Sequence, residues 1–561
     1  MKRDLNQLTN KIFEILVVGG GIYGAFVAWD AALRGFSVAL IEKGDFGSAT
    51  SSNSLKIIHG GLRYLQNGSI RLVRTMAYER KTWMRIAPHL VHPLPCLMPT
   101  SHKLTQHKLA LSAALAVNEL TSRNGSPLLD AQKHLPAGRI VSREECLHRL
   151  PGLDPKGVTG GAFWHDAQMY SSERLLLSVL LSAAGMGAEI ANYVQGIRFL
   201  VKGRTIIGME AEDTMTGQRF EIQAGMVVNA TGGWAASLLS SLNPRSIPPD
   251  SPLSTAMNLV TRQILPDVAV GFPSCYTSGD KNGNPITRNR VLFVTPWHQY
   301  SLIGTIHVPY QGHPKDFFVR EVDVQSFLQE INAAYPGAQL SWEDVYHVHA
   351  GFLPVDAKRF PDIRLVRENR IIDHQQGDGI EGVVSVIGVK YTTARYGAQE
   401  TVNLVSKKMG QDRECKTHNT PLFGGQIDYF NDLLHQVIRD RPDGLEIESA
   451  RHLAYHYGSE ISQILLSLVE HPQWARTLTD KSPTIQAEVI HAIRVEMALK
   501  LSDVIRRRTE LGAAGLPDTD CIKTCADLMA SELGWSEARK REEIEDVLTD
   551  SPLTATRFAK S

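Results

Sequence analysis

The chain has 561 residues, and its 59 lysines and arginines are balanced by 59 aspartates and glutamates, so the formal net charge is zero. This balance argues against a dedicated nucleic-acid-binding protein, because such proteins gain affinity mainly by neutralising phosphates. With 43% apolar residues the chain is too apolar for disorder, and its length suits roughly three to four domain-sized units. Six scattered cysteines suggest no disulfide framework, so we expect a protein of cytoplasmic type.

The sequence predicts neither a signal peptide nor a membrane-spanning helix. The first residues lack a small-residue cleavage site, and no apolar run approaches the roughly 18 residues that a spanning helix needs. The nearest candidate is residues 109–117, which follow two histidines and two lysines between positions 102 and 108. This segment is either a core helix with a solvated start or an interfacial helix that touches anionic lipid at the inner face of a membrane.

Residues 14–43 carry the most informative pattern. The aliphatic run from Glu14 to Val18 predicts a buried parallel strand, and the small-residue-rich segment 22–34 predicts a helix. A second buried strand is predicted from Ser37 to Ile41. Together these elements form a β-α-β unit of about 30 residues.

Three glycines and one acid give this unit its chemistry. In the motif Gly19-x-Gly21-x-x-Gly24, the first glycine permits a tight turn, the second lets a pyrophosphate approach the backbone, and the third lets the helix pack on the strand. The start of the helix offers free amides to the phosphates. Glu42, at the tip of the second strand, can accept both ribose hydroxyl protons and disfavours a 2′-phosphate. The unit therefore predicts a dinucleotide site for NAD or FAD rather than NADP.

Later segments bear on the choice between NAD and FAD. Residues 47–65 contain a run of serines and threonines followed by Lys56, His59 and a Gly-Gly pair. This run is either a plain polar loop or the holder of a second phosphate and a flavin ring. Residues 226–234 predict a strand that returns to the dinucleotide-binding domain, and the alternation over 188–222 predicts an antiparallel meander.

The chain carries four signatures, which are GGGIYGA (residues 19–25), ATSSNSLKIIHGGLRYL (49–65), NATGGW (229–234) and GVKYTTAR (388–395). This set resembles the FAD-dependent glycerol-3-phosphate dehydrogenase family, which lies in the flavoprotein group that includes D-amino-acid oxidase. The resemblance covers most of the chain. It implies FAD as cofactor and hydride transfer from C2 of glycerol 3-phosphate to flavin N5, which gives dihydroxyacetone phosphate. Electrons then pass to a quinone or to oxygen.

The resemblance and the predicted elements imply an α/β fold with an α+β insertion. It would contain a Rossmann-like FAD-binding domain, an antiparallel-sheet substrate or cap domain, and a helical C-terminal domain. We expect the FAD-binding domain from residues 1–100, 225–245 and 376–410, a helical segment and meander at 101–224, the cap domain at 246–375, and the helical domain at 411–561.

The family pattern also assigns site residues. The expected FAD-binding residues are Gly19, Gly21, Gly24, Glu42, Thr50, Ser51, Ser52, Lys56, Gly60, Gly61, Ala230, Thr231, Gly232, Gly388 and Thr392. The expected catalytic residues are Arg63, Lys390 and His59, and the expected substrate-binding residues are Arg63, Tyr64, Arg367 and Lys390.

Charge and proton transfer motivate these roles. Arg63 and Lys390 suit a phosphate clamp or an electrostatic role beside the flavin, with Arg63 able to grip an anion through two bonds. His59 is either the base that takes the hydroxyl proton or a structural group that holds the Gly60-Gly61 turn. Lys56 is expected to contact a flavin phosphate or nearby backbone.

The sequence departs from the family pattern mainly on the substrate side. Leu353 stands where the family has an arginine in a Gly-x-Arg-Pro segment, and loss of such a charge-assisted bond removes about 1.5 to 3 kcal/mol. Residues 255–262 replace a lysine-glycine-serine-histidine segment. Tyr23 replaces an asparagine in the glycine turn, and Leu55 replaces a small polar residue. These departures leave the flavin signature intact and alter the substrate site.

His347, His349 and His374 surround the altered segment in sequence, where they offer new polar contacts or pack as ordinary core residues. No acidic residue stands at ligand spacing beside two of them, so we predict no metal site. The pair Cys521 and Cys525 is interpreted as two small packed side chains on a helix.

The C-terminal region predicts helices at 446–456, 459–468 and 486–507, with the arginines at 506–508 marking a helix C-terminus.

Three functional hypotheses follow from the whole sequence. The first is FAD-dependent oxidation of a small anionic polyol phosphate. The second is flavin-dependent oxidation of an amine, an amino acid or another hydroxy compound, and the third is a flavin-binding protein that no longer turns over. The resemblance favours the first, with a quinone or another electron acceptor and possible peripheral membrane contact. The oligomeric state stays open.

Overall fold

The computed structural model describes residues 1–103, 107–122, 128–242, 244–247, 251–279, 285–355, 366 and 368–549. For residues 63, 66, 67, 121, 122, 277–279 and 285 it describes the backbone only. No helix within these ranges is both long and apolar enough to cross a membrane.

The chain alternates between strands and helices up to residue 408 and is then mostly helical. The helices are α1 (Leu5–Asn10), α2 (Ile22–Leu33), α3 (Ile70–Ile86), α4 (Lys108–Ser122), α5 (Arg143–Arg149), α6 (Ser172–Gly185), α7 (Ala235–Leu239), α8 (Glu321–Ala334), α9 (His374–Asp378), α10 (Ala394–Lys408), α11 (Phe430–Arg439), α12 (Ile447–Tyr457), α13 (Ile461–Glu470), α14 (Gln486–Glu496), α15 (Leu501–Asp503), α16 (Thr519–Leu533) and α17 (Glu537–Thr549).

Within the described residues the strands form two large sheets and one small hairpin. They are β1 (Ile12–Val18), β2 (Val38–Ile41), β3 (Ile57–Ile58), β4 (Val91–Thr100), β5 (Arg139–Val141), β6 (Gly160–Met169), β7 (Glu189–Ala191), β8 (Val194–Lys202), β9 (Thr205–Asp213), β10 (Arg219–Asn229), β11 (Leu253–Arg262), β12 (Ala269–Gly279), β13 (Pro285–Trp297), β14 (Tyr300–Tyr310), β15 (Val345–Pro354), β16 (Arg370–Asp373), β17 (Val383–Ile387), β18 (Thr477–Thr479) and β19 (Ser482–Ile485).

The first sheet has the order β16-β17-β10-β1-β2-β7, and all neighbours except β16 and β17 run parallel. Val18, the last residue of β1, pairs with Ile41 of β2 on one side and with Asn229 of β10 on the other. The carboxyl ends of these strands therefore meet at one edge. Because β1 lies between its sequence successor β2 and the distant β10, this edge is a topological switch point, where open α/β sheets bind ligands.

The predicted β-α-β unit and meander are both present. β1, α2 and β2 form the unit, and β8, β9 and the first half of β10 form an antiparallel meander attached to the parallel sheet. Helix α2 packs against α6 and α10 over one face of this sheet, in a core that includes Phe26, Trp29 and Trp83. The other face is covered by a second core that includes Leu8 and Phe199.

The second sheet is mostly antiparallel, with the order β15-β11-β14-β13-β12-β4-β6-β3 and with β5 beside β6. Its strands β3 to β6 come from residues before 170, so this sheet is not confined to the expected cap segment 246–375. Conversely, β16 lies inside that segment but pairs with β17 in the parallel sheet. The domain boundaries themselves stay predictions.

The region after residue 410 consists largely of helices α11 to α17 around two apolar cores. Two of the expected helices, α12 and α13, lie close to the predicted bounds. The third, expected at 486–507, ends at Glu496 because Met497 adopts a left-handed conformation (φ 59°). A new turn then begins where the Asp503 carboxylate accepts the backbone N–H groups of Leu499 and Lys500.

Candidate functional site

The glycine turn lies at the switch point between β1 and α2. The Gly19 N–H donates to the carbonyl of Ile41 over 2.8 Å, which joins the turn to the end of β2. A Cβ on Gly24 would overlap the carbonyl oxygen of Gly19, and a Cβ on Gly19 would lie 2.6 Å from the carbonyl oxygen of Ala230. The first turn of α2 therefore lies directly against the ends of β1 and β10, with its amides at the sheet edge.

Glu42 is held at the same edge. Its carboxylate oxygens accept the N–H groups of Gly20 (2.7 Å) and Gly44 (2.9 Å). Burial raises the pKa of the Glu42 carboxyl, and these two bonds oppose part of that rise. Each oxygen retains acceptor capacity beyond its one backbone bond, so the group can receive hydroxyl protons from a ribose.

The serine-rich loop joins α2 to the antiparallel sheet. The Ile22 N–H donates to Ser51 Oγ over 2.9 Å, and Ser52 Oγ donates to the carbonyl of Gly47 over 2.8 Å. Thr50 Oγ1 accepts the Phe352 N–H (2.9 Å) and lies 3.2 Å from the Phe352 carbonyl. The loop is thus tied to α2 through Ser51 and to β15 through Thr50.

Lys56 has a different environment from the one expected. Its ammonium is fully buried, 2.7 Å from a Glu173 oxygen and 2.9 Å from Ser172 Oγ, and it lies over the Trp297 ring. Removal of one partner from a buried ion pair costs about 3 to 5 kcal/mol. Because Glu173 already neutralises this charge, the structure does not support Lys56 as a ligand of a flavin phosphate.

His59, Tyr64 and Lys390 come together near the carboxyl end of β17. The rings of His59 and Tyr64 are stacked with centroids 6.2 Å apart, and Lys390 Nζ lies 5.2 Å from the centroid of the Tyr64 ring. The His59 N–H donates to Thr392 Oγ1 over 3.2 Å, which joins the two chain segments. The Arg63 side chain and Arg367 lie outside the described residues.

Two turns border this group. The Gly60 N–H donates to Asp166 over 2.6 Å, and a Cβ on Gly61 would lie 3.0 Å from the sulfur of Met76. Asp166 also pairs with Arg80, so a buried carboxylate holds the Gly60-Gly61 turn. Sequence reasoning missed Asp166, because it lies far from the turn along the chain.

The return turn after β10 is held by Asn229. Its side-chain oxygen accepts the N–H (3.2 Å) and the hydroxyl (2.7 Å) of Thr231, directly after Ala230. Gly232 follows with a positive φ of 57°. This turn therefore brings the Ala-Thr-Gly segment to the sheet edge beside Gly19.

Tyr23, which replaces the family asparagine, connects α2 to the segment after β17. Its hydroxyl lies 2.7 Å from Asn369 Oδ1 and 2.8 Å from the Lys390 carbonyl. A Cβ on Gly388 would overlap the Tyr23 ring, so this ring fills the space that Gly388 leaves. Burial raises the pKa of Tyr23 to about 12, so it is a neutral donor. Tyr23 positions the backbone of Lys390.

The altered segment lies against the serine-rich loop. Leu353 of β15 pairs with Ser254 of β11, and a Cβ on Gly351 would lie 2.9 Å from Cα of Thr50. Leu55 packs against the same sheet beside Val260. Leu353, which stands in place of the family arginine, therefore lies near the serine-rich loop that is predicted to hold the cofactor.

The three histidines lie in two places, and all three are buried as core residues. His347 and His349 are neighbours in β15, with ring centroids 5.1 Å apart. His374 begins α9 beside the parallel sheet, where it pairs with Asp378 (2.7 Å) and Ser385 (2.8 Å). Burial lowers the pKa of His347 and of His349, the latter to about 3, so neither supplies a positive charge in place of an arginine at neutral pH.

The arginines at 507 and 508 have a role that the helix-end interpretation did not anticipate. Both guanidiniums pair with Asp45, at 2.5 Å from Arg507 and 2.6 Å from Arg508. Asn192 Nδ2 donates to the same carboxylate over 3.0 Å. These arginines hold the pKa of Asp45 well below its usual range although burial opposes this. Since Asp45 lies three residues after Glu42, the helical domain contacts the loop that follows Glu42.

The fold and the site together define a class, the FAD-dependent oxidoreductases with a Rossmann-like domain and a sheet-bearing cap domain. The model of the FAD dependent oxidoreductase family matches residues 14–397, and the model of the C-terminal domain of alpha-glycerophosphate oxidase matches residues 415–540.

Curated relatives narrow the class. A glycerol-3-phosphate dehydrogenase from Synechocystis is 31% identical over 521 residues, which cover 91% of this chain and 90% of that protein. The mitochondrial glycerol-3-phosphate dehydrogenase of Mus musculus is 30% identical over 571 residues, 97% of this chain and 73% of that protein. The chain belongs to the FAD-dependent glycerol-3-phosphate dehydrogenase family, and FAD is its cofactor.

Solved structures have the same fold. The glycerol-3-phosphate dehydrogenase from Bacillus halodurans, complexed with FAD, superposes with a TM-score of 0.74 at 23% identity and covers 97% of this chain and 95% of that one. L-alpha-glycerophosphate oxidase from Mycoplasma pneumoniae, with FAD bound, gives a TM-score of 0.52 at 15% identity over 73% of this chain and 99% of that one. Both likenesses concern the fold alone.

The residues present fit FAD. The glycine turn has no room for a Cβ at Gly24, and it presents the start of α2 at the sheet edge. Glu42 lies at the same sheet edge, and Ser51 of the following loop accepts the Ile22 N–H at the start of α2. Glu42 would hold the ribose, the glycine turn the pyrophosphate, and the serine-rich loop the flavin end of the cofactor.

Proposed function

We propose that the protein oxidises sn-glycerol 3-phosphate to dihydroxyacetone phosphate. The observation that carries this proposal is the grouping of His59, Tyr64 and Lys390 beside the FAD cradle. A cation and an imidazole at one place suit an anionic alcohol that must lose a proton. The curated relatives named glycerol-3-phosphate dehydrogenase support the same substrate.

The side chains would divide the work as follows. FAD, when bound, supplies the acceptor for the hydride from C2 of the substrate. Arg63 would bind the phosphate through two parallel bonds, and Lys390 would balance the negative charge that hydride transfer brings into the site. His59 would take the hydroxyl proton on an imidazole nitrogen, and Tyr64 would hold the His59 ring by stacking. Tyr23 and Thr392 would position these groups through the backbone.

An anaerobic substrate screen tests the proposal. The purified yellow protein is mixed without oxygen with glycerol 3-phosphate, other polyol phosphates, and a panel of amines and amino acids, while flavin absorbance is followed. We expect rapid bleaching by glycerol 3-phosphate and none by amines. Bleaching by amines alone would support the amine-oxidase hypothesis instead, and no bleaching by any compound would support a flavoprotein without turnover.

Leu353→Arg is expected to strengthen substrate binding. A new charge-assisted bond to the phosphate contributes about 1.5 to 3 kcal/mol, so KM for glycerol 3-phosphate should fall roughly tenfold to a hundredfold. Steady-state kinetics measure the change. Leu353→Met, which changes shape without adding charge, is the control and should leave KM unaltered. An unchanged KM for the arginine variant would place position 353 away from the phosphate.

We also propose that electrons leave to a quinone or another acceptor during peripheral contact with the inner face of a membrane. Helix α4 supports this, because Leu109 is 74% exposed and Leu120 is 63% exposed on the face that also presents Ala113 and Ala116. Exposed Lys103 precedes the helix. An exposed apolar helix face with nearby cations suits an anionic lipid surface.

The double variant Leu109→Glu/Leu120→Glu should lose binding to vesicles of phosphatidylglycerol and phosphatidylcholine. Each leucine buried in lipid contributes about 1.5 to 3 kcal/mol, so the bound fraction in co-sedimentation should fall at least tenfold. The control is Leu466→Glu/Val469→Glu on α13, whose side chains are 67% and 71% exposed. Equal binding by both double variants would contradict the assignment of α4.

A further inference from the structure

A second group of ligand-type side chains lies away from the flavin site, between the helical domain and the antiparallel sheet. His452 and His456 are one helical turn apart on α12, and their ring centroids are 4.2 Å apart. Glu510 follows the π-helical turn 504–508. One ligand atom from each of these three residues lies within 4.8 Å of the other two.

His456 lacks good hydrogen bonds although it is almost fully buried, with 1% of its side chain exposed. Among the described residues, the carboxylates of Glu510 and Glu488 lie 3.5 and 3.8 Å from its two ring nitrogens. Glu510 Oε1 likewise has no hydrogen-bond partner in the part of the chain that the structure describes. Buried polar atoms without partners are costly, so this arrangement calls for a further group between them.

Neighbouring side chains orient the group. Glu488 lies 3.2 Å from His452 Nε2, which is the carboxylate–histidine arrangement that fixes imidazole ligands of metals. His298, in the turn between β13 and β14, lies 3.0 Å from Glu510 Oε2. The Tyr170 hydroxyl lies 3.3 Å from His452 Nδ1, the other ring nitrogen.

We propose that His452, His456 and Glu510 bind a divalent transition-metal ion of the Zn²⁺ class. Two imidazoles at i,i+4 on one helix with one carboxylate form a donor set that Zn²⁺ takes in proteins. Zn–N bonds of about 2.0 to 2.1 Å place tetrahedral ligand atoms roughly 3.4 Å apart. Rotamer shifts of about 1 Å therefore bring the three ligand atoms to bonding distance of one ion. Through His298 and Glu510 the ion fastens the helical domain to the antiparallel sheet, and it takes no part in flavin chemistry.

The sequence did not reveal this group, because Glu510 is distant from the two histidines along the chain. Their own spacing, four residues on an amphipathic helix, also occurs in ordinary helices. Only the fold brings Glu510, from beyond the buried turn at Val504–Arg508, to the face of α12 that carries both rings.

The test uses the full flavin-loaded chain. The protein is dialysed against a chelator and then metal-free buffer, titrated with ZnCl₂, and analysed for bound metal by mass spectrometry. We expect about one Zn²⁺ per chain and a rise in the thermal midpoint. His456→Ala should bind at least tenfold more weakly, whereas His435→Ala, which removes an exposed histidine of α11 in the same domain, should bind as the unaltered chain does.

A spectroscopic measurement covers the case in which His456→Ala fails to fold. CoCl₂ added to the dialysed chain should give the visible absorption of tetrahedral Co²⁺ with nitrogen and oxygen ligands, and Glu510→Gln should weaken that signal. Absence of stoichiometric Zn²⁺ together with absence of the Co²⁺ signal would overturn the proposal. Equal zinc affinity for the His456 and His435 variants would overturn it as well. Neither outcome bears on the anaerobic substrate screen.

Discussion

Gly24→Val should produce a folded protein that retains little flavin. The new side chain would overlap the carbonyl oxygen of Gly19, which is backbone at the turn that receives the pyrophosphate. Overpacking of this kind costs about 1 to 3 kcal/mol, and α2 can relieve it only by moving off the sheet edge. We therefore expect FAD affinity to fall by roughly tenfold to more than a hundredfold. The ratio of flavin to protein absorbance after gel filtration measures the loss.

The matched control is Gly185→Val at the end of α6, where a Cβ would meet nothing within 4 Å. This variant should keep a full complement of flavin. Far-ultraviolet circular dichroism of both variants separates loss of cofactor from loss of fold. If Gly24→Val were folded and fully yellow, the cradle would not lie at the turn between β1 and α2.

Lys390→Met should lower kcat by about a hundredfold to a thousandfold, the usual effect of removing one group that stabilises developing charge. The methionine keeps most of the side-chain volume over the Tyr64 ring but removes the cation. Because the charge matters most as hydride is transferred, kcat should fall more than KM rises. Lys390→Arg should restore part of the rate. Flavin content should change little.

The control for this prediction is Lys407→Met, which removes an exposed cation near the end of α10. It changes net charge by the same amount and should leave kcat within about twofold, because exposed charges are screened by solvent and salt. A rate for Lys390→Met equal to that of the control would remove Lys390 from the catalytic group.

The parts of the fold that sequence predicted well are those encoded by neighbouring residues. The β-α-β unit, its glycine turn and Glu42 lie within about thirty residues, and aliphatic runs with glycine breaks specify such units locally. The meander was predictable for the same reason, since alternation of exposed and buried residues is a local property. The resemblance to a flavoprotein family extended this reading to the cap and helical domains.

The parts that sequence did not predict depend on pairs far apart in the chain. Lys56 was expected near a phosphate, yet Glu173 neutralises it, and nothing near Lys56 in sequence indicates that partner. The space that Gly388 leaves is filled by the Tyr23 ring, so a small residue and a large one that lie far apart in the chain compensate each other. Burial likewise keeps His347 and His349 uncharged at neutral pH, and burial is a property of the folded chain.

The ion pairs between Asp45 and the two arginines imply that cofactor loading and the stability of the helical domain are thermodynamically coupled. Removal of Arg507 and Arg508 would leave a carboxylate in the interior without countercharge, a state that costs several kcal/mol. A ligand that orders the loop after Glu42 therefore also favours docking of the helices. Docking of the helices in turn favours binding of that ligand by the same free energy. Loss of FAD should therefore lower the melting temperature of the helical region after residue 410.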